Sequence, residues 1–531
     1  MRTHRDNSAL YHSKTSKPFL GFCLLALVVL LVSTTTAKAD DRPNILLILC
    51  DDMGFSDTGC YGGEIDTPNI DRLAANGVRF TQFYNTSKCY PSRACILTGV
   101  YSQQCRMSKK DGKIQNAVTF GEVLRAAGYR TLWAGKHHGT ENPFTRGFDR
   151  YYGLRDGACN YFNPGLQRPG EPEPAQKRPG KRYWCIDDKT FQPYTPKEKD
   201  FYTTDAFTDQ AIKWLEEYKN EDKPFLLYMA YNAPHDPLMA WPKDIAKYRG
   251  KYKAGYEAIR NARYQRQVKS GLIDPKTCPL SKRESPNKKK PKLPNWKDLS
   301  QEDRDREDLR MAVYAAMVDR MDQNIGRLLE KIRELGKADN TLILFCSDNG
   351  GSHEVVDIGT GQIGTMSKWS SVKAPWANVS NTPFRKYKTF SHEGGICTPL
   401  IVAWPKGIKK GGQICREPGH FIDIMPTLIE LTGAKYPTEY NDMKVTPLQG
   451  KSLTPLFHGE KIVRDKPLFW EWRHGRAVRD GKWKLVSYQG SWELYDMSVD
   501  RSETKNLAKK HPKIVKRLSK MWEKWYDDCY K

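Results

Sequence analysis

Lys88-Cys89-Tyr90-Pro91-Ser92-Arg93-Ala94-Cys95-Ile96-Leu97-Thr98-Gly99 places a thiol, a hydroxyl and a guanidinium where a polar loop runs into a short apolar stretch. Pro91 suits the first turn of a helix, because its missing N–H would have had no partner there. The free amides around it would favour an anion near Cys89, and Arg93 adds a permanent, planar cation. Residue types alone therefore describe a nucleophile at a helix entrance beside a place for negative charge. A second set of residues could hold a metal. Asp51-Asp52 ends one apolar run and Asp348-Asn349 ends another, giving oxygen donors that suit calcium or magnesium better than zinc. No Cys-x-x-Cys pair or Cys/His spacing argues for zinc.

Cys89-x-Pro91-Ser92-Arg93-x-x-x-Leu97-Thr98-Gly99 resembles the signature of the type I, formylglycine-dependent sulfatases of the alkaline phosphatase superfamily, with every fixed position filled. The resemblance implies that Cys89 is oxidised after synthesis to formylglycine (3-oxoalanine), by a maturation enzyme that is then a required partner. Cys89 would be the precursor of the nucleophile and not a thiol nucleophile. It also implies a Ca2+ site, with Mg2+ as the alternative, made by Asp51, Asp52, the group at Cys89, Asp348 and Asn349.

Gly128-Tyr129 through Gly135-Lys136-His137-His138-Gly139 is similar to a second element of that family. Matching residue by residue makes Lys136 a sulfate-binding cation and His138 a base. His137 stands where the family has Trp, which leaves two adjacent imidazoles for one role. Asn232-Ala233-Pro234-His235 matches the active-site His at His235. Asn381-Thr382-Pro383-Phe384-Arg385-Lys386-Tyr387-Lys388 supplies Lys388 as the cation that binds sulfate and assists the departing oxygen. Two family features are missing: Cys397 replaces the arginine after Glu393-Gly394-Gly395-Ile396, and no serine matches the one some members place after Gly147-Phe148-Asp149-Arg150. The implied reaction is in-line attack on sulfur, with Arg93, Lys136 and Lys388 neutralising the sulfate oxygens. His235 would serve the leaving group and His138 the release of sulfate.

The elements that must position these residues are legible in the pattern of apolar runs. Asn44–Cys50 is a continuous buried-strand run feeding Asp51-Asp52. Thr67 to Ala74 carries a helix start with Pro68 in its first turn, closed by Gly77. Residues 121–127 read as helix, 131–134 as strand, 205–218 as helix, 224–231 as strand, 310–335 as a long helix and 341–346 as strand. The alternation predicts an α/β fold, a large mainly parallel sheet sandwiched by helices, with the ligand beyond the carboxyl ends of the strands. After about Gly450, short strands around Asp480-Gly481 predict a small antiparallel sheet followed by a helix, similar to the C-terminal subdomain of sulfatases. The expected division is a signal peptide over 1–39, a catalytic domain over 40–450 and a C-terminal subdomain over 451–531.

Basic residues ahead of the apolar stretch Phe19 to Val32, with Ala37-Lys38-Ala39 after it, read as a secretory signal cleaved before Asp40. That stretch is short for a bilayer span. The protein is therefore expected to be exported, without a stable membrane span after cleavage. The formal charge of +24 in 531 residues would attract polyanions. No nucleic-acid-binding motif is present, so a sulfated small molecule or glycan is the expected partner. Two basic segments, 162–193 and 248–294, interrupt the alternation. They read either as solvated surface insertions or as a rim that recruits such a substrate. The rival readings are a phosphate or phosphonate ester hydrolase of the same superfamily and a non-catalytic polyanion-binding protein.

Overall fold

Every residue of the strand Asn44–Cys50 is buried, as its unbroken apolar run requires of a strand covered on both faces. It pairs in parallel with Phe225–Ala230 on one side and Thr341–Ser347 on the other. The computed structural model describes residues 41–109, 112–286 and 292–530. The expected signal peptide and most of the Lys288-to-Lys292 run lie outside them. Among the described residues, no helix is long and apolar enough to cross a membrane.

The large sheet is mixed, with strands in the spatial order Gln413–Cys415, Val78–Tyr84, Cys397–Ala403, Thr341–Ser347, Asn44–Cys50, Phe225–Ala230, Arg130–Gly135, Arg150–Leu154, Trp184–Ile186 and Lys189–Phe191. Five central strands, from Thr341–Ser347 to Arg150–Leu154, are mutually parallel. Cys397–Ala403 runs against its two neighbours. Helices Pro68–Ala75 and Thr203–Glu217 both pack on Gln301–Glu334, and Cys89–Thr98, Phe120–Ala126 and Ile424–Thr432 form a second group. This is the α/β architecture the sequence predicts. Because parallel strands all end on one side, the loops after Cys50, Gly135, Ala230 and Ser347 converge there. The antiparallel strand begins on that side, which brings the segment 381–396 to the same place.

Three features differ from the sequence reading in instructive ways. The long helix starts at Gln301, well before Arg310, capped by the Ser300 hydroxyl accepting from the Asp303 amide. Its first turns are polar, so a search for apolar periodicity begins too late. Within 162–193, the short strands Trp184–Ile186 and Lys189–Phe191 extend the main sheet. Within 248–294, the helix Tyr256–Lys269 buries Arg260, Arg263 and Gln267. Arg263 there pairs with Glu64 at 2.7 Å and bonds Asp57. A basic run is thus partly interior, because its cations meet buried acids far away in sequence.

The C-terminal strands Leu468–Trp472, Gly475–Asp480, Trp483–Tyr488 and Glu493–Asp496 form the expected antiparallel sheet, with helix Pro512–Tyr530 packed on it. Polar contacts bind it to the large sheet. Trp470 Nε1 donates to the Asn85 carbonyl at 2.7 Å, and Trp472 Nε1 to the Tyr90 hydroxyl at 2.8 Å. Buried Lys484 lies 2.7 Å from both Glu393 Oε1 and Glu503 Oε1. Arg501 donates to the Thr81 carbonyl at 2.7 Å and stands 3.8 Å from the Cys397 sulfur and 3.7 Å from Glu393. A guanidinium from the C-terminal segment therefore occupies the surroundings of the position where Cys397 replaces an arginine. Lys484→Met should lower stability by about 3–5 kcal/mol, because two buried carboxylates lose their ammonium. Denaturant unfolding measures this, and Glu393→Gln introduced into that variant should recover part of the loss.

Candidate active site

Cys89 is the first residue of the helix Cys89–Thr98 and is fully buried. Lys88 before it is extended, so the chain turns into the helix at the thiol itself. Asp51, Asp52, Cys89 and His235 each offer one ligand atom, and all four atoms lie within 4.8 Å of one another. Asp348 and Asn349 arrive from the end of Thr341–Ser347. The Asp348 Oδ1 accepts from the Asp52 amide at 3.3 Å, and Asn349 Nδ2 donates to Asp52 Oδ1 at 2.6 Å. The five residues expected to hold a metal thus come from three separate loops into one buried cluster.

Three cations are interleaved with these acids. Arg93 Nε donates to Asp348 Oδ2 at 2.9 Å, its Nη1 to the Lys136 carbonyl at 2.9 Å, and its Nη2 stands 3.8 Å from Asp51 Oδ2. Lys136 Nζ bonds Asp51 Oδ2. Lys388 Nζ bonds Asp52 at 2.8 Å and approaches Glu354 at 3.8 Å. Asp51, Asp52 and Asp348 therefore face Arg93, Lys136 and Lys388, with Glu354 balanced by Lys88 at the edge, which is how so much charge stays buried.

The matching is incomplete in a way that points to a further positive charge. Asp51 Oδ1 and Asn349 Oδ1 are buried without a hydrogen-bond partner. Burial and neighbouring Asp348 push the Asp51 carboxyl up, against the pull of Lys136 and Arg93. Two orphaned hard oxygens beside a crowded carboxylate fit a hard divalent cation. Burial also pushes the Cys89 thiol up to about 11, despite Lys388 and Lys136. An unmodified thiol here stays protonated at neutral pH and is a poor nucleophile.

The two adjacent imidazoles have different surroundings. His137 packs edge-on against Trp133 with ring centroids 5.2 Å apart, and burial holds it down to about 3. His138 has φ of 66°, and its ring lies against Gly157 while that of His137 lies against Gly139. The His138 ring lies 5.5 Å from that of Tyr90. Burial, then Lys136 and Arg93, hold it well below the usual imidazole range. Both imidazoles are therefore neutral, His138 in the field of Lys136 and Arg93 and His137 against the Trp133 ring. Nδ1 of His235 lies 2.6 Å from the Asp236 carbonyl and 3.3 Å from Asp236 Oδ1, leaving Nε2 3.6 Å from Asp52. His138→Ala should lower kcat by about 10²–10⁴-fold, whereas His137→Phe should stay within about tenfold, since it keeps a ring against Trp133. Steady-state kinetics of the two variants side by side distinguishes them.

The residues assembled here include some that sequence reasoning missed. Glu354 pairs with Lys88 at 2.9 Å and stands within ligand distance of His235 and Asp236. No motif surrounds it in the chain. Beneath the cluster, the Tyr314 hydroxyl donates to Asp57 Oδ2 at 2.6 Å and lies 3.3 Å from the Asp52 carbonyl. Only the register of the long helix against the Asp52 loop reveals that support. Asp236, next to His235, could have been found as the carboxylate neighbour of an imidazole.

Acids and cations gathered at the carboxyl ends of a parallel sheet, around a Cys-x-Pro-Ser-Arg helix start, define an ester hydrolase of the alkaline phosphatase superfamily. The chain belongs to the sulfatase family, whose model, described as Sulfatase, matches residues 43–434, and it is a sulfuric ester hydrolase. A second model, described as N-sulphoglucosamine sulphohydrolase, C-terminal, matches residues 385–527. The chain is 32% identical to an uncharacterised sulfatase of Schizosaccharomyces pombe, covering 91% of this chain and 93% of that one. It is 31% identical to the arylsulfatase of Klebsiella aerogenes, over 81% and 95% of the two chains. Among solved structures, that of Ps i-CgsB with k-i-k-neocarrahexaose superposes with a TM-score of 0.65 at 27% identity, over 91% and 93% of the two chains.

Proposed function

We propose that this protein is an exported sulfatase acting on a sulfated carbohydrate, with Cys89 matured to formylglycine and a calcium ion held by Asp51, Asp52, Asp348, Asn349 and residue 89. The carrying observation is the buried convergence of Asp51, Asp52, Cys89 and His235 with the cations Arg93, Lys136 and Lys388. A carbohydrate is favoured by the C-terminal match to a sulphoglucosamine enzyme, by the oligosaccharide in Ps i-CgsB and by the +24 charge. Export is favoured by the leader pattern at the start of the chain.

The site's charge balance suits this chemistry. Its three paired carboxylates and cations are neutral together, so a dication adds two positive charges. A sulfate monoester and one ionised hydroxyl carry two negative charges. When bound, calcium would supply that charge, and the hydrated aldehyde one hydroxyl to attack sulfur and a second to release it. Arg93, Lys136 and Lys388 hold the sulfate oxygens and stabilise the charge that spreads over them, usually the largest contribution to such catalysis. The Lys388 ammonium supplies or shares a proton with the departing oxygen, alongside His235, whose ring is oriented by Asp236. Neutral His138 accepts the proton whose removal frees sulfate.

The test is mass spectrometry of the peptide carrying residue 89, together with turnover of an aryl sulfate against an aryl phosphate and an aryl phosphonate. An aldehyde at position 89, a clear preference for sulfate, and loss of activity on chelation with recovery on adding calcium are expected. An unmodified thiol in active enzyme, or a preference for phosphorus, would overturn the proposal.

A further inference from the structure

Segment 162–193 reaches the site from outside the catalytic motifs. Lys177 Nζ lies 2.9 Å from Asp236 Oδ2 and 4.9 Å from the centroid of the Trp369 ring, so it pins the segment beside the carboxylate that orients His235. A turn follows, closed by the Lys181 amide donating to the Arg178 carbonyl at 3.2 Å, with Gly180 at φ +66°. The chain then passes Arg182 to Tyr183, whose amide bonds Asp156 Oδ2 and whose carbonyl accepts from the Arg155 amide. Asp156 leads into Gly157, which lies so close to His138 that a Cβ there would fall 2.5 Å from Nε2. The segment thus reaches the neighbourhood of both working imidazoles, through Lys177 at one and through Tyr183, next to Arg182, at the other.

Lys177 bonds Asp236, whereas Arg182 feels the charges of Asp156 and Asp236 without bonding either. Arg178 is exposed and Arg182 half-buried, and among the described residues neither makes a side-chain hydrogen bond or ion pair. The Arg182 Nε is buried without any partner. A guanidinium partly removed from water and left unpaired is a standing demand for an anion.

We propose that Arg178 and Arg182, on a turn anchored by Lys177, form a second anion subsite that takes a sulfate or carboxylate on the same or the adjoining sugar of the substrate. The preferred substrate is then an oligosaccharide carrying at least two negative groups. This rests on the sulfatase reading above and adds to it how the substrate is chosen.

The experiment is calorimetric binding to Cys89→Ala protein, loaded with calcium, of three disaccharides: one monosulfated and neutral elsewhere, one disulfated, and one monosulfated with a uronate. The disulfated or the uronate compound should bind at least about tenfold tighter than the monosulfated one, since one charge-assisted contact is worth that much. Which of the two does so identifies the second anion. R182Q and R178Q should each bring the ratio toward one. Arg178 is exposed, so R178Q keeps the test available should R182Q fail to fold. A ratio near one in the parent protein, or a ratio that survives both substitutions, overturns the proposal. Failure of the sulfatase reading would show separately, as absent aryl sulfate turnover by matured wild-type enzyme.

Discussion

Cys89→Ala is expected to abolish sulfate-ester hydrolysis, lowering kcat by at least about 10⁴-fold. Its stability should change by only about 1 kcal/mol, because a single sulfur is removed from the start of a well-packed helix. Two physical facts drive the expectation. Residue 89 is fully buried among Asp51, Asp52 and His235, so no other nucleophilic side chain can take its place without displacing them. Burial also holds the native thiol at about 11, so an unmatured fraction cannot supply a background rate as thiolate. Cys89→Ser sharpens the test. Serine offers one hydroxyl where the proposed hydrated aldehyde would offer two, so it can accept a sulfate but has no second hydroxyl with which to expel it. Rapid-mixing measurements with a chromogenic aryl sulfate should show no more than one equivalent of leaving group per site, then nothing. Sustained turnover by either variant would sink the mechanism.

Arg93→Ala should produce the second-largest effect, and on two readouts at once. Arg93 joins the Cys89 helix to the Thr341–Ser347 strand through Asp348 at 2.9 Å, and to the Arg130–Gly135 strand through the Lys136 carbonyl at 2.9 Å. Removing it takes away one of the three cations proposed to hold sulfate, for a loss of about 10²–10³-fold in kcat. It also leaves Asp348 buried without its guanidinium, which should cost about 3–5 kcal/mol of stability. Arg93→Lys keeps the charge but not the planar fork, and cannot bond the Asp348 carboxylate and the Lys136 carbonyl together. It should recover more stability than activity. The double variant Arg93→Ala/Asp348→Asn separates the two contributions, because neutralising the stranded acid restores stability while the sulfate clamp stays broken. Recovery of both together would show that Arg93 acts only as scaffold.

Much of this site is legible in the chain alone, and the reason lies in the architecture. Parallel strands are long apolar runs whose ends lie on one side, so Asp51-Asp52 after Asn44–Cys50 and Asp348-Asn349 after Thr341–Ser347 can be assigned to one place from sequence. The helix entrance at Cys89 announces itself through Pro91 and the apolar residues behind it. Lys136 and His235 follow for the same reason, each directly beyond a strand. Lys388 lies on an irregular segment, and only its match to a family motif singles it out.

The residues that needed the tertiary structure act across long separations. Glu354 has no local pattern, and it enters the site only because its loop returns to Lys88 and Lys388. His137 and His138 are identical in type and adjacent in sequence, and only their surroundings separate them, one ring packing against Trp133 and the other against Tyr90. The gap left by Cys397 could not be resolved from its own surroundings, because the guanidinium beside it belongs to Arg501, beyond the whole antiparallel sheet. The basic segments read as solvated insertions or as a substrate-recruiting rim, yet Arg263 is interior and Lys177 stands at the carboxylate behind His235. Sequence by itself determined which chemistry the chain can perform and which strand ends carry it, since hydrophobic period and motif spacing are local properties. Tertiary structure decided which charge neutralises which, because a buried ion pair is fixed by distance in space, and distance along the chain does not encode that.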